Sequence, residues 1–134
     1  MFLAVADLPA KAEWVGEPHL AILPCVRQEV GELLYRWGTS DIVVQQAGLV
    51  VEELLANVVV HARTTFRLEV QREGPMLRVA VEDGCLRAPP VDQASGLTGQ
   101  GLGLRLVNAL ALRWGWNEYA TGKTVWAVFL VTNT

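Results

Sequence analysis

ELLANVVVHARTTFRLEVQREGPMLRVAVED, residues 53–83, changes its hydrophobic period halfway along. Up to Ala62 the apolar residues crowd a single segment: Val50 and Val51 lead into Leu54, Leu55, Val58, Val59 and Val60. The spacing predicts a helix over residues 42–62, apolar around most of its circumference and therefore buried on several sides. Beyond it the period drops to two. Phe66, Leu68 and Val70 alternate with Arg67 and Glu69, and Leu77, Val79 and Val81 alternate with Arg78 and Ala80, on either side of Gly74-Pro75. Two alternating runs around a Gly-Pro turn predict a β-hairpin.

Upstream, Leu20, Ile22, Leu23, Val26, Val30, Leu33 and Leu34 recur near helical spacing until Gly38, and Thr39-Ser40-Asp41 supplies a cap for the helix that follows. Downstream, residues 84–101 are rich in Pro, Gly, Ser and Asp and read as a loop. Leu102, Leu106, Leu110 and Trp114 then predict a third helix, with Gly115 placed to end it. Residues 116–119 and 125–131 read as two final strands around a turn at Thr121-Gly122-Lys123. Helix, helix, strand, strand, helix, strand, strand is an α+β order. It implies a two-layer α/β sandwich: a mixed, mostly antiparallel sheet with helices packed on one face.

Composition narrows the function classes. The 134 residues suit a single domain and contain no repeat, low-complexity tract or linker. With 51% hydrophobic and 19% charged residues, the chain has enough apolar surface for a core. A net charge of −3 argues against a general nucleic-acid binder or a polybasic membrane surface. Glu52, Glu53 and Asn57 interrupt the longest apolar stretch before it reaches the ~18 residues of a spanning helix. The N-terminus lacks a basic region and a cleavage signal, so it reads as mature sequence. Cys25 and Cys85 stand far apart with no zinc-type spacing. The expected setting is reduced and cytoplasmic.

Three features carry chemistry. Glu53, Asn57 and His61 lie four residues apart, so at about 100° per residue they form one polar stripe on the second helix. Either that stripe faces solvent, or its burial is compensated by a cavity holding a cation, water or ligand. Gly99-Gln100-Gly101-Leu102-Gly103 opens directly into the third helix, where backbone N–H groups would suit a phosphate, or simply form a hinge. No Gly-Lys-Ser/Thr follows it, and no strand precedes it, so it is neither a Walker A loop nor a dinucleotide fingerprint. Asp83 ends the second hairpin strand on the face of Leu77, Val79 and Val81, where a carboxylate can accept from an amino group such as that of adenine. The plain alternative is an Asp-Gly turn.

In this order, an E-x-x-x-N helix, a strand ending in Asp, a loop, a glycine-rich helix start and a late Gly-x-Thr resemble the ATP-binding domain of gyrase, ninety-kilodalton heat-shock chaperones, histidine kinases and mismatch-repair MutL. Within that superfamily the sequence is most similar to the small stand-alone anti-sigma-factor serine kinases of bacteria. The likeness covers about residues 20–130, with residues 53–62 as the N box and residues 122–126 as the closing strand motif. It implies a Bergerat-type ATP-binding fold, with ATP and Mg²⁺ as ligands. It implies that Asn57 binds the Mg²⁺, that Glu53 is general base on an incoming serine hydroxyl, and that His61 lies near the phosphates. Asp83 would receive the adenine amino group, with Thr124 holding a water or the ring beside it. Gly84 and the glycine-box residues Gly99, Gly101, Leu102 and Gly103 would line the nucleotide, residues 84–98 forming a lid. The implied partners are an anti-anti-sigma protein and a sigma factor that compete for the chain, and a second copy in a homodimer.

The sequence departs from that pattern in places. Cys85 stands where many members have the glycine of Asp-x-Gly, with Gly84 shifted forward, and Val60 stands where many carry a basic residue. Glu82 is an alternative to Asp83 in the aspartate's role; strand alternation favours Asp83. The rival to a kinase is a regulatory module on the same fold that captures partners without transferring phosphate. A histidine-kinase fragment would need a phosphoacceptor histidine, and the chain has only His61 and His19, the latter reading as a surface residue. A hydrolase built on Cys85 and His61 has no supporting motif. Of the five tryptophans, Trp114 and Trp126 read as core, and Trp14 as an interface residue.

Overall fold

The structure is a computed structural model and describes residues 10–89 and 103–131. Its elements are β1 (Ala10–Gly16), α1 (Ile22–Arg36), α2 (Asp41–Asn57) with a π-helical turn (Val58–Ala62), β2 (Phe66–Glu73), β3 (Met76–Asp83), α3 (Gly103–Leu110), β4 (Arg113–Tyr119) and β5 (Gly122–Leu130). The strands form one five-stranded sheet in the order β1-β2-β3-β5-β4. Every neighbouring pair is antiparallel, so the sheet is not mixed. Leu23, Val26, Val30 and Leu33 of α1 and Val50, Val51, Leu54 and Leu55 of α2 share one core with Leu68, Val79, Val81 and Ala127 of the sheet. This is the expected two-layer α+β architecture.

Local signals explain most boundaries. Gly38 takes φ of +75° after α1; its N–H donates to the Tyr35 carbonyl, and that of Thr39 to the Leu34 carbonyl, both at 3.0 Å. These are the two bonds of a Schellman C-cap, which needs the left-handed residue that glycine supplies. The β2–β3 register pairs Glu73 with Met76, leaving Gly74-Pro75 as a two-residue turn. Ser40 is the N-cap of α2 with extended backbone, although its side chain makes no capping bond. Asp41–Ala62, at 22 residues and mean hydropathy 1.5, is long and apolar enough to cross a membrane; 61% of that window is buried inside the fold. A core helix enclosed by its own protein passes the same test.

Several expectations are corrected. The strand β1 does not stand out in the sequence, because its inward positions are Ala10, Ala12 and Trp14 while Lys11 and Glu13 face out. Two alanines give a weak alternation. Trp14 pairs across from Leu68, is 0% exposed, and donates its indole N–H to Glu29 Oε1 at 3.3 Å. It is a core residue rather than an interface residue. The helix α3 stops at Leu110, and the Leu112 N–H already bonds the Val128 carbonyl at 2.8 Å, so Trp114 and Gly115 belong to β4. The buried face of α3 is Leu104 and Val107 at i, i+3, rather than the i, i+4 series through Leu106. Finally, Trp126 lies on the outer face, because Val125 and Ala127 take the inner one; its indole covers Gly115 and donates to Asn117 Oδ1 at 3.1 Å.

The last turn also moves. Tyr119 pairs with Gly122, so the turn is Ala120-Thr121 and the strand β5 begins at Gly122. Gly122 has φ of +152°, and a Cβ there would overlap the carbonyl oxygen of Asp83. Only glycine allows the two backbones to come this close. Gly122→Ala is therefore expected to cost upwards of about 2 kcal/mol in urea unfolding, from backbone strain plus the overlap. Trp14→Ala should cost about 3–5 kcal/mol in the same assay. A loss below about 1 kcal/mol in either variant would contradict the packing described.

Candidate functional site

The polar stripe of α2 does not face solvent. The helix is wedged between α1, the sheet and α3, and Glu53 and Asn57 are only 3% and 9% exposed. At Asn57 the α-helix passes into the π turn, closed by the Arg63 N–H donating to the Val58 carbonyl at 2.6 Å with Arg63 in the left-handed region. Such wide turns interrupt the regular ladder and recur at functional sites. Asn57 and His61 both line a cavity of about 240 Å³, together with Leu54, Val81, Asp83, Cys85 and Lys123. Of these two side chains, Asn57 Nδ2 and His61 Nε2 are buried with no hydrogen-bond partner among the described residues. Buried polar atoms are rarely left unpaired, so two such atoms in residues that line one cavity mark it as a candidate ligand site.

Asp83 closes the opposite wall. Strand alternation turns it inward, 6% exposed, while Glu82 beside it is exposed, so of the two acidic candidates Asp83 is the one that lines the cavity. Its Oδ1 accepts the Cys85 N–H at 2.8 Å, an Asx turn, so the turn reading and the cavity reading hold together. The same oxygen accepts from Lys123 Nζ at 3.1 Å. Lys123 is 5% exposed and lies directly opposite Asp83 in the β3–β5 register. The pair also borders a second hollow of about 500 Å³, reached between β2 and the β4–β5 turn and lined by Gly84, Phe66 and Tyr119.

The other expected residues fall as follows. Glu53 sits one turn before Asn57 on α2 and is not among the residues lining the cavity. Thr124 is half-buried, pairs with Glu82 and Asn117, and does not line the cavity; the inner face belongs to Lys123 and Val125. The cause is the early start of β5, which puts the odd-numbered residues inward. Gly84 is exposed, its N–H donating to Thr64 Oγ1 at 2.9 Å. Gly103 opens α3, and Gly99, Gly101 and Leu102 lie outside the described residues, with most of the expected lid. Sequence reasoning missed Lys123, although extending the alternation of 125–131 back by two residues would have placed it inward. Among the described residues no three His, Cys, Asp or Glu side chains converge on a metal site.

Cys85 is a free thiol at the cavity wall. The backbone N–H of Arg87 holds its pKa below the ordinary value; burial pushes the other way, and the Arg87 side chain and the charge of Lys123 add to the lowering. A lowered pKa means thiolate at lower pH. In a Cys25→Ser background, the rate of alkylation by iodoacetamide should therefore reach half its maximum below the ~8.5 of an ordinary cysteine. A midpoint at or above that value would contradict the environment described.

Comparison with known proteins agrees with this fold. No curated protein matches the sequence. Among solved structures, the chain is similar to the RsbU and RsbW domains of Rv1364c from Mycobacterium tuberculosis, with a TM-score of 0.70 and 16% identity over 90% of this chain. It spans 32% of that longer chain, and at such identity the likeness shows the fold. The family profile described as a histidine kinase-like ATPase domain matches residues 17–129. This chain belongs to the histidine kinase-like ATPase family.

Proposed function

We propose that the chain is an ATP-dependent serine/threonine protein kinase of the anti-sigma-factor type, its 134 residues forming one ATP-binding unit. In this reading it phosphorylates an anti-anti-sigma protein and releases or captures a sigma factor accordingly. The observation that carries it is a cavity lined together by Asn57, His61 and Asp83, with Asn57 Nδ2 and His61 Nε2 buried and unpartnered among the described residues. The family makes ATP the fitting ligand. The structural likeness to a chain with an RsbW domain suggests the class of partner. Two free thiols suit a reducing, cytoplasmic setting.

The residues divide the work. Asp83 accepts the amino group of the base, and His61 donates toward the phosphates. Asn57 can turn its amide oxygen to hold Mg²⁺; a hard cation with one amide donor takes its remaining ligands from phosphate and water. The bound ion would neutralise charge on the phosphate oxygens during transfer. Glu53 takes the proton of the acceptor hydroxyl as its oxygen bonds the terminal phosphorus, and ADP leaves. For that the hydroxyl, or one bridging water, has to come within about 3 Å of the carboxylate. The position of Glu53 outside the cavity lining favours a second reading, a module that binds nucleotide and captures partners without transferring phosphate.

Calorimetric titration separates these readings. ATP should bind in a Mg²⁺-dependent manner, Asp83→Asn should abolish binding, and Asn57→Ala should remove the Mg²⁺ dependence. Glu53→Gln should leave ATP affinity within a few-fold while lowering transfer to the acceptor protein by about 10²–10⁴-fold. Binding without transfer by the unmodified chain would establish the capture module. No binding by folded protein would refute both.

A further inference from the structure

We infer that Lys123 reads the base directly, donating to the ring nitrogen next to the exocyclic amino group that Asp83 accepts. The inference rests on the ATP-binding reading and goes beyond it, because the family resemblance gave Thr124 the role of holding a water or the ring beside Asp83. Thr124 does not line the cavity; Lys123 does. The β3–β5 register fixes the Lys123 and Asp83 backbones opposite each other, and Gly122 fixes how closely the two strands approach there. Their side chains meet at 3.1 Å with both residues more than nine-tenths buried.

A buried ion pair is stable only when further hydrogen bonds satisfy what the two charges leave over. Lysine carries three N–H donors, and Asp83 takes one of them. The cavity thus presents a cationic donor immediately beside an anionic acceptor, held in fixed order by two strands. The Watson–Crick edge of adenine offers the complement in the same order: an amino N–H beside an unprotonated ring nitrogen. A 6-oxopurine in the same pose would turn its carbonyl toward the carboxylate and its ring N–H toward the ammonium, two repulsive contacts. Lys123 therefore makes the site specific for the aminopurine without a bridging water.

The test compares ATP with 1-deaza-ATP, which lacks only that ring nitrogen, by calorimetry on the unmodified chain and on Lys123→Met. A hydrogen bond to a charged group predicts a loss of about 10-fold or more for the analogue on the unmodified chain. On Lys123→Met the two ligands should differ by less than about 3-fold, since the donor is gone. The inference is overturned if the unmodified chain binds both equally, or if the analogue loses the same factor on both proteins. Should Lys123→Met not fold, Lys123→Arg, which keeps a donor, should retain the analogue's penalty; its loss would overturn the assignment. ITP should bind the unmodified chain much more weakly than ATP. Failure of ATP itself to bind folded, unmodified protein would instead remove the underlying reading, and this inference with it.

Discussion

The close approach of β3 and β5 at Gly122 is the constraint on which the rest depends. Gly122 sits where any Cβ would collide with the Asp83 carbonyl, so the two central strands can be drawn together at their ends. That approach is compatible only with glycine at this position, and the register there places Asp83 and Lys123 opposite one another. It also starts β5 early enough for β4 to pair along its whole length, from Arg113–Val128 to Tyr119–Gly122. One missing side chain thus allows the close backbone approach beside one wall of the cavity. A neighbouring Gly115 works on the outer face, where it leaves room for the Trp126 indole.

The second helix balances stability against function within a single segment. Val50, Val51, Leu54 and Leu55 are close to fully buried and tie it to the first helix and the sheet. Glu53 and Asn57, on the same helix, are almost as deeply buried. A protein selected for stability alone would place apolar groups there, since each buried polar group costs about 1–3 kcal/mol unless it is hydrogen-bonded. The π turn after Asn57 adds a second departure from the most stable geometry at the same place. Local rules are broken together where the structure provides a cavity, which is the pattern expected of a functional site.

The Asp83–Lys123 pair follows the same logic. Buried ion pairs contribute little net stability compared with apolar substitutes, yet losing one partner of such a pair costs about 3–5 kcal/mol. The pair therefore holds the strand ends in one arrangement while keeping charged hydrogen-bonding groups in the cavity. Cys85 and Arg87, just beyond the strand, continue that polar wall, and the Asx turn at Asp83 fixes where the chain leaves the sheet.

Much of this was legible in the residue order. The helix of residues 42–62, the Gly74-Pro75 hairpin, the Gly38 stop and the inward Asp83 all follow from periodicity and turn chemistry, because each depends on neighbours within a few residues. The stripe of Glu53, Asn57 and His61 was visible for the same reason. Whether it faced water or a cavity was not, because that depends on what packs against the helix. Trp14, the end of the third helix and the inward side of the last strand were misread for a related cause: each is decided by pairing with a distant strand. Sequence by itself determined the local conformations and the pattern of chemistry along each element. Tertiary structure alone decided which polar groups share a cavity, since one residue of strand register exchanges Thr124 for Lys123 beside Asp83.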